Sequence, residues 1–429
     1  MENIPEDAGK PAAKQGASRA VNVQVYRWVI LLVTTGAQAS ISFIPQGIGA
    51  LAPFLAAGLN LNKTQVGFAG GAVNVGMTFT SILAGRAVDL WGEKTVLVVG
   101  GVCTGAAIIL ASRSGSFPVL LALLLFTGLW AATSTPAGGK AIMTWFPYSQ
   151  RGFAMGVRQT GVPLGGLLAA LILPPIAFNF NWRAAMAGMG LVAFFGAALC
   201  LVAYKDYPEK TGTGQKGMTK AGSVGTVLRN PDIWLVGFTA ITYVAAQFTL
   251  VTYLMIYFND KIGISIRQAS IFLAMAQLAG AAGRVFWGVV SDKVFRGARK
   301  PALFSVGIVV MVMSLTMVFL TSKTPIWVVG LVSWFFGFSA IGWNGLFVAL
   351  VSEMVGKEQA GTALGMGLSL VQVGVLIFPP IFGFLVDRSG SYQTSWITLS
   401  LLVLLGILLL GLVHERKDES AGRTVAKGV

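Results

Sequence analysis

Long stretches of almost uncharged residues recur from about residue 27 to residue 413, each parted from the next by a short polar break. That recurrence leaves few folds open. Wound at about 1.5 Å per residue, roughly 20 residues cross the ~30 Å hydrocarbon layer of a bilayer. Inside that layer no water satisfies a free N–H or C=O, so a spanning segment must be a helix or part of a closed barrel. The runs are continuously apolar instead of alternating, which selects helices. A water-soluble core is the wrong frame: charged residues make up 11% of the chain, against about 25% in a soluble domain.

The runs predict spans at about 27–51, 64–88, 95–113, 117–145, 151–176 and 183–204, then at about 232–257, 267–291, 301–321, 325–351, 359–386 and 393–413. The expected fold class is therefore an all-α membrane protein, with twelve transmembrane helices in two six-helix bundles at 27–204 and 232–413. Residues 205–231, carrying Lys205, Lys210, Lys216, Lys220 and Arg229, read as a polar linker. Residues 1–26 and 414–429 read as tails, the first disordered to about residue 22. No small-residue cleavage pattern follows the first span, so no removable signal is expected.

Positively charged loops are retained in the cytoplasm. With both termini inside, 23 of the 31 Lys and Arg residues fall on the inner side and 7 on the outer, with Arg284 left within a span. A multi-pass protein of the cell's inner membrane with both termini cytoplasmic is expected. The net charge of +15 is thus a topology signal scattered over loops, and a nucleic-acid partner is not expected. Cys103 and Cys200 both lie in apolar runs, which supports neither a disulfide framework nor a metal site.

The two halves repeat each other at an offset near 205. Gly85-Arg-Ala-Val-Asp89 answers Gly288-Val-Val-Ser-Asp292, Gly152-Phe-Ala-Met-Gly156 answers Gly361-Thr-Ala-Leu-Gly365, and Pro174-Pro175-Ile176 answers Pro379-Pro380-Ile381. Parallel repeats of this kind place two bundles about an axis along the membrane normal, with the ligand between them near mid-depth. The Pro pairs, which lack backbone donors, predict bends, breaks or helix ends near the far ends of spans five and eleven.

Gly85-Arg86-Ala87-Val88-Asp89-Leu90-Trp91-Gly92-Glu93-Lys94 resembles the loop signature GxxxDxxGxK that the major facilitator superfamily carries between spans two and three. Its echo runs from Gly288 to Asp292, followed by Gly297, Arg299 and Lys300. The resemblance covers about residues 27–413. It implies that Gly85, Asp89, Gly92, Lys94, Gly288 and Asp292 act in gating, by close helix approach and by ionic contacts at the inner face. Leu90 stands where many relatives carry Arg. In span five, Gly161-Val162-Pro163-Leu164-Gly165-Gly166 partly matches the family's antiporter signature, with Val162 replacing a Gly.

An ionisable group deep in a span costs at least about 2.5–3.5 kcal/mol, so it needs a partner or a task. Arg284 lies in span eight, eight residues before Asp292, too deep for easy escape to the surface. Here the chain resembles the oxalate/formate exchanger and monocarboxylate transporter branch, in which an Arg at this spacing binds the substrate carboxylate, and the resemblance implies that role for Arg284. Lys140 in span four is a second candidate for an anion or a snorkelling cation. Arg158 in span five reads as a gate partner or cavity lining. No Asp or Glu occupies the middle of a predicted span, so a cationic pocket awaits an anion from outside the chain. Gln38, Tyr243 and Gln247 are candidate ligand contacts, each equally explicable as a helix–helix hydrogen bond. Asn74, Asn344 and Gln372 sit at similar depth, and Trp343, Phe335 and Phe347 are candidate wall residues.

Nothing in the sequence pairs a nucleophile with a base, clusters metal ligands or forms a P-loop, so neither an enzyme nor an ATP-driven pump is expected, and no cofactor. The leading expectation is a monomeric secondary active transporter moving a small organic anion, a carboxylate or sulfonate, by alternating access, as exchange or proton cotransport. The competing classes are a drug or metabolite efflux pump, a cyanate- or sugar-phosphate-type permease, and a receptor that keeps the fold without transporting. The partners expected are the anion, the lipid bilayer, and a coupled proton or counter-anion.

Overall fold

The computed structural model describes residues 23–207, 229–355 and 360–414. Most of the linker and both tails lie outside these described residues. The N-terminal bundle holds α1 (Val23–Leu59), α2 (Lys63–Trp91), α3 (Glu93–Ala111), α4 (Phe117–Ala131), α5 (Ser134–Trp145), α6 (Tyr148–Gln159), α7 (Gly161–Asn179) and α8 (Trp182–Ala203). The C-terminal bundle holds α9 (Pro231–Tyr257), a π-helical turn at Phe258–Ile262, α10 (Ile266–Lys293), α11 (Arg299–Phe319), α12 (Ile326–Ala340), α13 (Asn344–Val355), α14 (Ala360–Ser389) and α15 (Tyr392–Leu412). Eleven segments among the described residues are long and apolar enough to cross a membrane, and the bent α2 makes a twelfth. Three of them are built from two helices: α4 with α5, α6 with α7, and α12 with α13.

Short polar residues set where helices begin. Asn62 and Gln65 form a reciprocal capping box at α2, and Asn181, Asn230, Ser265 and Ser391 each accept from the first turn of the helix that follows, satisfying N–H groups that a helix leaves unpaired. Gly92 separates α2 from α3 with φ of 80°, a conformation that a side chain would strain. One expectation is corrected here: α7 and α14 run unbroken through their Pro pairs. A proline needs only the loss of the bond to the carbonyl four residues earlier. For Pro379 that carbonyl is Val375, which faces Gly71 of α2.

Tyr26 at the start of α1 donates to the Ala203 carbonyl at the end of α8, and the His414 N–H at the end of α15 donates to Asp232 at the start of α9. The two ends of each bundle therefore share one face, called here the terminal face. The opposite face, the loop face, carries the contact between the start of α2 and the end of α14. Between the bundles run two seams, α2 against α14 and α7 against α10, with α1 packed on α9 between them. The chain duplication exchanges the two seams.

Candidate functional site

The broken spans meet two guanidiniums. Helix breaks leave carbonyls without the usual N–H partner, and the half-helix that ends there turns its negative end toward them. At the α6–α7 break, the residue four beyond Gln159 is Pro163, which has no N–H to give. Arg284 takes that carbonyl from across the seam: its Nη1 donates to the Gln159 oxygen at 3.0 Å, while its Nε donates to the Ile341 oxygen at the α12–α13 break at 3.3 Å. Arg158, in the last turn of α6, donates through Nη2 to the Ser134 carbonyl at 2.8 Å and to Gln38 Oε1 at 2.6 Å. Gly138 makes this approach feasible, since a Cβ there would collide with the guanidinium.

Neither guanidinium has a carboxylate within ion-pair distance among the described residues. Arg158 is only 1% exposed and its Nε has no partner in the protein. Arg284 is half-buried, which leaves donor capacity toward the space between the bundles. Two positive groups are thus bound to the same turn of α6, one through Arg158 itself and one through the Gln159 carbonyl. Carbonyl oxygens solvate these charges without neutralising them, so the net positive charge at this depth persists.

Amide side chains complete the surroundings. Gln247 of α9 accepts from Trp343 Nε1 at 3.1 Å and Asn344 Nδ2 at 3.2 Å. Across the seams, Gln277 donates to Gln46 Oε1 at 2.9 Å and Gln372 donates to Thr78 at 2.8 Å. Gln46, Gln277, Ser134 and Thr78 were not singled out by the sequence; Gln46 and Gln277 are lone amides in apolar runs, whereas Ser134 and Thr78 stand among other hydroxyl residues. Tyr243 is placed elsewhere: its ring is buried and its hydroxyl donates to the Leu303 carbonyl at 2.9 Å, joining α9 to α11 inside one bundle. Trp343 and Phe347 are buried in the same bundle, while Phe335 is exposed on its outside.

The loop face is shut by bonds that cross from bundle to bundle. Asp387 at the end of α14 accepts from the Lys63 and Thr64 N–H groups at 2.9 and 2.8 Å and from the Thr64 hydroxyl at 2.6 Å. Lys63 pairs with Asp260 at 2.5 Å, and Asp260 also accepts from Tyr392 at 2.8 Å. Tyr253 donates to the Lys63 and Pro379 carbonyls at 2.6 and 2.8 Å.

At the terminal face three ionic contacts among the described residues lie within a bundle. Lys140 pairs with Asp89 at 2.8 Å, and Arg299 joins Asp292 at 2.5 Å and Glu353 at 3.1 Å. The charge of Lys140 is thus met by a carboxylate of its own bundle. Glu93 opens α3 directly after Gly92, and Lys94 follows it in the first turn. A Cβ placed on Gly85 or Gly288 would find nothing within 4 Å, so neither touches the opposite bundle in this state. The ion pair that crosses between the bundles, Lys63 with Asp260, lies at the loop face, and those at the terminal face join residues of one bundle among the described residues.

The sequence profile of the Major Facilitator Superfamily matches residues 30–379. A probable sulfoacetate transporter of Cupriavidus necator is 28% identical over 399 residues, covering 87% of this chain and 92% of its own length. A hexuronate transporter of Bacillus subtilis is 26% identical over 362 residues, 81% of this chain and 85% of the relative. Among solved structures, a bacterial homologue of the human lysosomal transporter Spinster, inward-facing and unoccupied, superposes with a TM-score of 0.77 at 16% identity, covering 90% of this chain and 97% of the other. At that identity the likeness speaks for the fold.

Proposed function

The chain belongs to the major facilitator superfamily, and we propose that it carries a small organic anion, a carboxylate or sulfonate, by alternating access, with Arg284 as the group that meets the anionic end. The observation that carries this reading is the half-buried Arg284, held by two carbonyls and by no carboxylate. A bound anion supplies the charge that the chain withholds, whereas a cationic substrate would have to approach two guanidiniums unaided. That relatives carry the names of sulfoacetate and hexuronate transporters supports the same class. Arg158 and Gln38 form the positive floor behind the site, and Gln247 with Asn344 lies in the facing bundle. Placing the chain in the oxalate/formate exchanger branch is the finer form of this proposal and rests on Arg284.

The excess of Lys and Arg at the terminal face supports placing that face in the cytoplasm and the chain in the inner membrane, and on that reading the loop-face bonds close the outer side. Counterflow in proteoliposomes tests the reading with sulfoacetate, galacturonate and a lipophilic cation as cargo. Saturable flux is expected for an anion and none for the cation. Arg284→Gln removes one partner of a desolvated charge contact, worth about 2–5 kcal/mol or roughly 30- to 4,000-fold in kcat/KM. Wild-type flux in that variant, or flux of the cation alone, would overturn the proposal.

A further inference from the structure

The duplication makes the α2–α14 and α7–α10 seams equivalent, yet their loop-face ends differ. The first is sealed: a Cβ on Gly67 would lie 2.5 Å from the Pro379 backbone, and Asp387 ties α14 to α2. The second gapes. Between Phe54, Pro174 and Phe178 on one side and Asn259, Ile266 and Arg267 on the other lies a crevice of about 640 Å³. Across it no hydrogen bond joins the bundles among the described residues. The Pro pair is common to both seams, but where α2 brings Gly67 against Pro379, α10 brings Ile266 and Arg267 to the crevice.

The crevice has carbon walls and a cation at its edge. Asn259 Nδ2 is taken up by the Ile264 carbonyl at 3.0 Å, and Ser265 is engaged in capping α10 through the Gln268 N–H at 3.3 Å. Arg267 is exposed and has no carboxylate within ion-pair distance among the described residues. Phe178 is 80% exposed and, with Phe54 and the two prolines, gives the α7 side an apolar wall edged by Asn179. An apolar gap of this kind stays dry or takes up hydrocarbon. Arg267 sits in the first turn of a spanning helix, which is the depth of the lipid headgroups. A cation at headgroup height above an apolar slot between helices has the charge and the shape of an anionic lipid's partner.

We propose that this crevice binds one anionic phospholipid, its phosphate on Arg267 and an acyl chain between α7 and α10. The lipid completes the second seam as Asp387 and Gly67 complete the first, and so favours the state closed at the loop face. The proposal does not depend on what the protein transports.

Native mass spectrometry of the full-length protein in detergent, with phosphatidylglycerol or phosphatidylcholine added, tests it. One phosphatidylglycerol is expected to stay bound where phosphatidylcholine does not. Arg267→Gln should lower its retention about fivefold, the effect of one basic residue near an anionic surface, while Arg267→Lys retains it. Excess glycerol phosphate should fail to displace the lipid, and Phe178→Ser should weaken it. Equal retention of both lipids, retention unchanged in Arg267→Gln, or displacement by glycerol phosphate, which would assign a free-phosphate site, overturns the proposal.

Discussion

The two faces of the molecule use the same kinds of residue to opposite effect. At the loop face, glycine, carboxylate and lysine join one bundle to the other: Gly67 meets Pro379, Gly383 meets the Lys63 backbone, and Lys63 meets Asp260. At the terminal face, Gly85 and Gly288 meet nothing, and Asp89, Asp292 and their cations pair within their own bundles. The difference teaches that the same residue types can serve either as bridges between the bundles or as pairs within one bundle, where their charges are satisfied without the opposite bundle.

The comparison can be broken most forcefully at the glycines. Gly67→Leu places a side chain where the Pro379 and Pro380 backbone already stands within 2.6 Å, and overpacking of that kind costs about 1–3 kcal/mol. Loop-face closure should fail, with flux falling about tenfold or more, and a thiol probe should reach a cysteine introduced into α9 from the loop side. Gly85→Leu, with open space around it in this state, should leave the melting temperature unchanged and block flux only by preventing terminal-face closure. If both variants lowered stability alike, the asymmetry would be lost.

A smaller effect is expected at Asp387. It accepts three hydrogen bonds from the start of α2, but it is exposed, so solvent and salt reduce their strength. Asp387→Asn keeps one acceptor oxygen and loses the charge that faces the positive end of α2. A cost of about 1–1.5 kcal/mol follows, a shift of roughly 5- to 15-fold toward the loop-open state. Spin labels flanking the ends of α2 and α14 read that shift as a second, longer distance; a single unchanged distance would remove Asp387 from the lock.

The spans, the duplication and Arg284 were legible in the sequence because each is a property of runs: hydropathy sustained over about 20 residues, or a charge interrupting it. The loop-face lock was not. Asp260 and Asp387 look like solvated span ends, and their partners lie 197 and 324 residues away in the chain. The acceptors that hold the guanidiniums were hidden for another reason, being backbone oxygens that no side-chain pattern encodes. Only Pro163 marked one of them, by withholding its N–H from Gln159. The sequence left Tyr243 open between ligand contact and helix packing, and its hydroxyl donates to the Leu303 carbonyl within one bundle, a partner that no side-chain pattern announces.

The mildest change expected is at Lys140, and it bears on why a resting latch costs so little. Its side chain is 40% exposed and that of Asp89 is 72% exposed, so their pair sits in water at a helix surface, where such contacts contribute about 0–1 kcal/mol. Lys140→Gln should therefore move the melting temperature by no more than about 2 °C in a chain of this size. Were Lys140 instead a substrate ligand, the same change would raise KM for the anion by about tenfold or more while leaving stability alone. Measuring KM and thermal stability together separates the two: a small shift in both places Lys140 with the gate, and a large rise in KM returns it to the binding site.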